Sequence, residues 1–245
     1  MDSDYSTRME TLKQWIRESS QIAFFGGAGV STESNIPDFR STDGLYNQKY
    51  AYPPETILSA TFFHRRTEEF YSFYRDKMLY TDAKPNRAHL ALAKLEREGK
   101  LTGVVTQNID GLHQLAGSKK VFELHGSTLR NYCMSCGKFY GIEAILNSEG
   151  IPKCSCGGTI KPDVVLYEEG LSDSTWSGGQ KAIEEADMLI VGGTSLTVYP
   201  AANMLYYYRG KRLVLINRDV TPMDSEADLI FHESVGEVLS TAVEL

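Results

Sequence analysis

The chain has 245 residues, with 25 Lys and Arg against 32 Asp and Glu, a formal charge of −7. At 42% hydrophobic and 23% charged residues it is neither disordered nor fibrous, and a chain of this length buries roughly 70–75% of its unfolded surface, so no disulfide or metal is needed merely to hold a core. The acidic balance argues against broad, unspecific nucleic-acid binding. The start Met1-Asp2-Ser3-Asp4 lacks the cations of a signal peptide, and no apolar run approaches the ~18 residues of a spanning helix, so a soluble, cytoplasmic protein with no membrane partner is expected.

Residues Thr7–Ser19 carry apolar side chains at helical spacing (Met9, Leu12, Trp15, Ile16) and lead into the strand Gln21–Phe25 and the turn Gly26-Gly27-Ala28-Gly29. From Pro53 to Met78 aromatics recur at helical spacings, which predicts a helical layer. Pro85 opens a further helix, Asn86–Gly99, with Gly99 as its stop. Strands follow at Leu101–Thr106, Val121–Leu124, Val164–Tyr167, Met188–Val191 and Leu213–Ile216, with helices at Ser174–Ala186 and Pro200–Arg209. Strands alternating with helices indicate an α/β fold, a parallel sheet covered on both faces.

Residues 129–160 break this rhythm and contain every cysteine. Cys133-Met-Ser-Cys136 and Cys154-Ser-Cys156 form two close pairs that can bring four thiolates to one tetrahedral centre. Gly157 and Gly158 permit the tighter second turn, and the segment holds no His to suggest an open catalytic position. One structural zinc ion is expected. A zinc-ribbon module for nucleic acid would carry a basic patch, but Arg130, Lys138 and Lys153 face Glu143 and Glu149 in the same stretch, so no specific nucleic-acid partner is expected.

A strand followed by Gly27-Ala28-Gly29 reads as the start of a dinucleotide site, where backbone N–H groups and a helix N-terminus meet a pyrophosphate. Thr32 in place of the third Gly, and no acid closing a second strand about 20 residues on, disfavour a hydride-transfer dehydrogenase. Four other strand ends carry small or polar groups: Thr106-Gln107-Asn108-Ile109-Asp110, His125-Gly126, Gly192-Gly193-Thr194-Ser195 and Asn217-Arg218-Asp219. Parallel sheets bind ligands at such ends, so these five segments are expected to share one crevice.

Together with Ile36-Pro37-Asp38-Phe39-Arg40, these motifs resemble those of the sirtuins, NAD-dependent protein lysine deacylases, here of the bacterial type. The resemblance extends from about residue 20 to 220 in the family's order; Asn35 stands where the family usually has Gly, and Asn tolerates positive φ. It implies a Rossmann-like NAD-binding domain (residues 1–43, 80–128 and 161–245), a helical part of a small domain (44–79) and an inserted zinc-binding module (129–160). It also implies that NAD is a consumed co-substrate: the acetyl-lysine oxygen attacks the nicotinamide ribose, and free lysine, nicotinamide and O-acetyl-ADP-ribose result.

By the same resemblance His125 is the general base, suited to proton transfer near neutral pH, and Asn108 positions the ribose or a water. Asp110 and the Ile109 backbone hold the carboxamide, Gln107 contacts the ribose, Phe39 covers it, and Arg40 reaches a phosphate. Ala28 and Thr32 line the pyrophosphate approach; Thr194, Ser195 and Asn217 contact phosphate and adenosine ribose, with Val235 near adenine. Lys161–Glu169 resembles the strand that aligns acetylated-lysine proteins or peptides, with Val165 and Tyr167 on one face lining the acyl-lysine tunnel. Glu168-Glu169 departs from the family's usual Gly-Glu, and both acids are candidates for contacts to basic residues flanking the target lysine. Tyr46 is followed by Lys49, with no Arg to grip an acyl carboxylate, so deacetylation is expected over desuccinylation. His113 is expected to be structural or on a helix surface, and His89 to pack or cap. The competing enzyme reading is an NAD-dependent mono-ADP-ribosyltransferase; a monomer is the expected state.

Overall fold

The computed structural model describes residues 3–38 and 51–245. In chain order its elements are α1 (Ser3–Glu18), β1 (Ile22–Gly26), α2 (Pro54–Ile57), α3 (Ala60–Arg65), α4 (Thr67–Lys77), α5 (Arg87–Arg97), β2 (Leu101–Thr106), α6 (Leu112–Leu115), β3 (Val121–Glu123), β4 (Gly126–Cys133), β5 (Phe139–Tyr140), α7 (Glu143–Leu146), β6 (Ile160–Val164), α8 (Asp173–Glu184), β7 (Met188–Gly192), β8 (Leu213–Ile216), β9 (Leu229–Phe231) and α9 (Val235–Ala242). Six strands form a parallel sheet in the order β3-β2-β1-β7-β8-β9. The chain steps outward from β1 to β2 and β3, then returns beside β1 through β7 and steps the other way. The order therefore reverses between β1 and β7, the place where open α/β sheets bind ligands.

All five residues of β1 are buried, and their alternation feeds two layers. Ile22 and Phe24 pack with Leu12 of α1, Leu92 of α5 and Leu239 of α9. Ala23 and Phe25 point to the opposite face, against Ile183 of α8 and Met204. Helices on both faces explain why the central strands read as continuous apolar runs. The helix starts are written locally: Ser172 and Ser234 accept backbone N–H groups at α8 and α9, and Asn86 with His89 forms a reciprocal cap at α5.

A second sheet, β5-β4-β6, is antiparallel, and together with α2–α4 it builds a separate core around Phe63, Phe70, Tyr71 and Tyr74. Cys133 and Cys154 are buried within that core. Among the described residues no helix is long and apolar enough to cross a membrane.

Three local expectations differ. The strand predicted at Val164–Tyr167 begins earlier, as β6, and pairs with β4 in the second sheet. Residues 165–167 instead extend between two anchors: Val165 N–H donates to His125 O and Tyr167 N–H to Leu58 O, both at 3.0 Å. The glycine turn leads into two 3-10 turns, Ala28–Val30 and Thr32–Ser34, not an α-helix. Val30 and Ser31 donate their N–H groups to Gly27 O and Ala28 O, three residues back, while Gly27 and Gly29 donate across to Gly192 O and Gly193 O. Residues Ala201–Tyr207 wind as a 3-10 helix, whose tighter period brings Ala201, Met204 and Leu205 onto the sheet. Asn35 adopts φ 61°, the left-handed conformation anticipated for it.

Candidate active site

A cleft of about 1240 Å³ runs along the C-terminal ends of the parallel strands. Gly27–Gly29 and Thr32 after β1, Gln107–Asp110 after β2, His125 after β3, Gly193–Ser195 after β7 and Asn217–Asp219 after β8 all line it. Val235, at the first turn of α9, lines it too while 4% exposed and packed in the core. Val165 and Tyr167 line the other side, and the alternation is clear there: Val164 and Leu166 are buried, while Tyr167 is exposed. Phe39, Arg40, Tyr46 and Lys49 lie outside the described residues.

The close approach of the β1 and β7 loops requires glycine. A Cβ on Gly29 would stand 2.8 Å from Gly193 Cα, and one on Gly27 would stand 2.9 Å from Thr194 Cβ. With these two positions bare, Ala28 and Thr32 face the cleft, and Thr32 Oγ1 is fixed by donation to Gly29 O at 3.0 Å.

The β2 end is organised by a hydroxyl to which the sequence assigned no role. Ser31 is 1% exposed; its Oγ accepts from Asn108 Nδ2 at 3.1 Å and donates to Asp110 Oδ2 at 2.7 Å. One buried Ser thus orients both polar side chains. Asp110 Oδ1 accepts from Leu112 N–H, Thr106 Oγ1 accepts from Asn108 N–H, and Ile109 O accepts twice from Thr128. Gln107 Nε2 donates to Thr194 Oγ1 at 3.0 Å, tying the β2 end to the β7 end. No short-range pattern announces these links, because they join segments 77 to 87 residues apart.

His125 Nδ1 lies 3.0 Å from Gln107 O. A carbonyl can only accept, so Nδ1 carries the proton and Nε2 is left with its lone pair, without a hydrogen-bond partner among the described residues. Burial lowers the pKa of this imidazole below the usual 6.5, opposed in part by the Gln107 carbonyl. The ring is therefore neutral at pH 7 and oriented, which is the state a general base requires.

His113 is buried, not on a helix surface as one alternative had it: it is 1% exposed and sits edge-on to His89, ring centroids 4.7 Å apart. Both are neutral at pH 7; burial pushes His89 down to about 4 and holds His113 well below the usual 6.5. His89 caps α5 through Nδ1, as a packing or capping residue should.

At the end of the 165–167 segment the two acids are already engaged. Glu169 accepts from Lys161 Nζ at 3.1 Å and from Leu166 N–H at 2.8 Å. Glu168 holds φ 76° and accepts from Thr61 N–H at 2.8 Å. The corner therefore keeps the left-handed turn that a Gly would make more easily, and Glu169 serves the turn itself.

In the second sheet, Cys133, Cys136, Cys154 and Cys156 place their four Sγ atoms within 4.8 Å of one another. The Cys133–Cys156 and Cys136–Cys154 separations are 3.5 and 3.6 Å. Four sulfurs at ~2.3 Å from a tetrahedral zinc stand about 3.8 Å apart, so the residues fit the ion. Backbone N–H groups of Ser135 and Cys136 point at Cys133, and Tyr140 Oη donates to Cys154 Sγ at 3.0 Å, contacts that favour thiolates.

The profile of the Sir2 family matches residues 27–200. A protein of Clostridium acetobutylicum named NAD-dependent protein deacetylase is 61% identical over 240 residues, covering 96% of this chain and 98% of its own. A solved Sir2 structure holding deacetylated p53 peptide and 3′-O-acetyl ADP ribose superposes with a TM-score of 0.88 at 40% identity, covering 96% and 97% of the two chains. Another, Sir2 with p53 peptide and NAD+, gives 0.86 at 39% identity over 96% and 97%.

Proposed function

The chain belongs to the Sir2 family and is an NAD-dependent protein deacetylase, a sirtuin, and from that premise we propose how its own residues divide the work. NAD, when bound, supplies the electrophilic ribose carbon and the hydroxyls that take over the acetyl group. His125 is the general base for that ribose hydroxyl; the observation that carries this assignment is the Nδ1–Gln107 O bond, which leaves Nε2 as the free base at the cleft. Asp110 and the Ile109 backbone receive the nicotinamide carboxamide, and Asn108 faces the reacting ribose with its amide held by Ser31. Gln107 contacts the same ribose, Ala28 and Thr32 face the pyrophosphate, and Thr194, Ser195, Asn217 and Val235 form the adenosine side. Phe39 and Arg40 complete the set by resemblance.

Acetyl-lysine peptides are the substrates, and Val165 and Tyr167 flank the entry of the lysine. Tyr167 uses its backbone N–H on Leu58 and its C=O on Ala60 N–H, and the N–H groups of Val165 and Leu166 go to His125 O and Glu169, so peptide pairing falls to the Val165 C=O. The four cysteines hold a structural zinc and take no part in the chemistry. A monomer acting in the cytoplasm completes the proposal.

The test is incubation of the purified protein with an acetyl-lysine peptide, with and without NAD, read by mass spectrometry. NAD-dependent appearance of deacetylated peptide and O-acetyl-ADP-ribose is expected. An ADP-ribosylated protein with the peptide unchanged would favour the transferase reading instead.

A further inference from the structure

A histidine that no motif claimed stands against Asn217, beside the adenosine side of the cleft. His232 follows β9, and its Nδ1 lies 2.9 Å from the backbone oxygen of Asn217. Asn217 in turn donates its own N–H to Phe231 O at 2.9 Å. Two consecutive residues thus hold both backbone polar groups of Asn217 and fix the direction of its side chain. The amide is then oriented by donation from Nδ2 to Asp219 O at 2.7 Å, which leaves Oδ1 as the acceptor offered to a hydroxyl.

The rest of the segment is braced in the same way. Asp224 Oδ1 accepts from both Thr221 N–H and Thr221 Oγ1 at 2.7 Å, closing the turn, while its Oδ2 stands 3.8 Å from His232 Nε2. The imidazole therefore spans the strand end and the turn beyond it. Asn217, Arg218, Asp219 and Val220 line the cleft, but His232 itself does not.

We propose that His232 is a positioning residue for NAD: by clamping the Asn217 carbonyl it presents the Asn217 amide oxygen to the adenosine ribose, and it acts on affinity for NAD without touching the chemical step. This rests on the assignment of Asn217 to the adenosine side.

Steady-state kinetics on the full chain test it. For His232→Ala, KM for NAD is expected to rise about three- to tenfold, the worth of one hydrogen bond, with kcat and the KM for acetyl-peptide unchanged. His232→Phe keeps the ring but lacks the donor and should match His232→Ala, whereas His232→Gln can restore an N–H and should recover most of the affinity. In an Asn217→Ala background the same His232 change should have no further effect. A His232→Ala enzyme with unchanged KM for NAD, where Asn217→Ala raises it, overturns the proposal. So does a fall in kcat, or His232→Phe behaving as wild type. An unchanged KM in Asn217→Ala alone would sink the underlying assignment, and the proposal with it.

Discussion

Gly126, the residue after the proposed base His125, is the most exacting position near the site. Its φ is 78°, and a Cβ there would stand 1.9 Å from Asp163 O, across the β4–β6 pair. Carbon and carbonyl oxygen approach no closer than about 3.3 Å without strain, so in Gly126→Ala the two strands must part by about 1.4 Å. The left-handed backbone costs an Ala ~1–2 kcal/mol. Loss of the neighbouring Val165 N–H to His125 O bond adds ~1 kcal/mol. A loss of at least ~2–3 kcal/mol lowers the melting temperature of a chain this long by roughly 5–10 °C. Because His125 is the adjacent residue, a shift on the order of 1 Å should also cut kcat about 10²-fold. Gly99→Ala is the matched control: φ is 74°, yet nothing lies within 4 Å of its Cβ. It should show the conformational part alone, about 1–2 kcal/mol with kcat intact. Circular-dichroism melts and deacetylation at saturating NAD read both variants. If Gly126→Ala melts and turns over like Gly99→Ala, the steric reasoning is wrong.

His125→Ala should lower kcat by 10²–10⁴-fold, the usual weight of a general base; near-wild-type turnover would reassign the base. In the wild type, log kcat/KM should rise with pH through a midpoint below 6.5, since burial lowers this imidazole, and an acidic limb centred above 7 contradicts that. His89 and His113 make the fold acid-sensitive. An unfolded chain takes up protons near pH 6.5 where folded His89 waits until about 4, so stability is full above 6.5 and declines below it. From His89 alone the loss is about 2 kcal/mol by pH 5, visible as a lower urea midpoint than at pH 7.5; equal midpoints would refute it. Native mass spectrometry should find one zinc per chain, and a strong chelator should remove it with a drop in melting temperature; a metal-free, fully stable protein would exclude the assigned site. Matched peptides should show faster deacetylation than desuccinylation, the reverse order overturning the argument from Tyr46 and Lys49.

The central strands were legible because both faces of β1, β2, β7 and β8 are buried, which forces apolar runs bounded by glycine or polar turns. The cysteine cluster was legible from spacing, and the strand-end motifs converge as a doubly wound sheet requires. What the sequence hid depends on distant pairing. β9 has three residues, and β4 mixes exposed Leu129 and Tyr132 with buried Asn131, so neither gives a clean period. The Gly-x-Gly turn suggested a helix because the local pattern does not reveal that its bonds would close three residues back and that the β1 loop would pack on Gly192 and Gly193. Ser31 is a small polar residue like many others until the fold sets Asn108 and Asp110 on either side of it.

The two walls of the cleft are built on different principles, and this separates their expected defects. On the catalytic side, Val165 N–H binds His125 O, His125 Nδ1–H binds Gln107 O, and Gln107 Nε2–H binds Thr194 Oγ1. That chain joins the segment proposed to align the peptide, the proposed base and the Gly193–Ser195 loop through three bonds of about 3.0 Å. A disturbance at any one of its members moves both substrates' contacts, so KM for peptide, KM for NAD and kcat should change together. The adenosine wall hangs instead from the backbone of Asn217, held by Phe231 and His232 at the far edge of the sheet. Among the described residues neither Phe231 nor His232 bonds to His125, Gln107 or Thr194, so variants of this Asn217 clamp should weaken NAD binding alone. Kinetic separation of the two classes thus measures the hydrogen-bond connectivity of the site, and parallel effects from both walls would mean that the coupling runs through packing in β1 and β7.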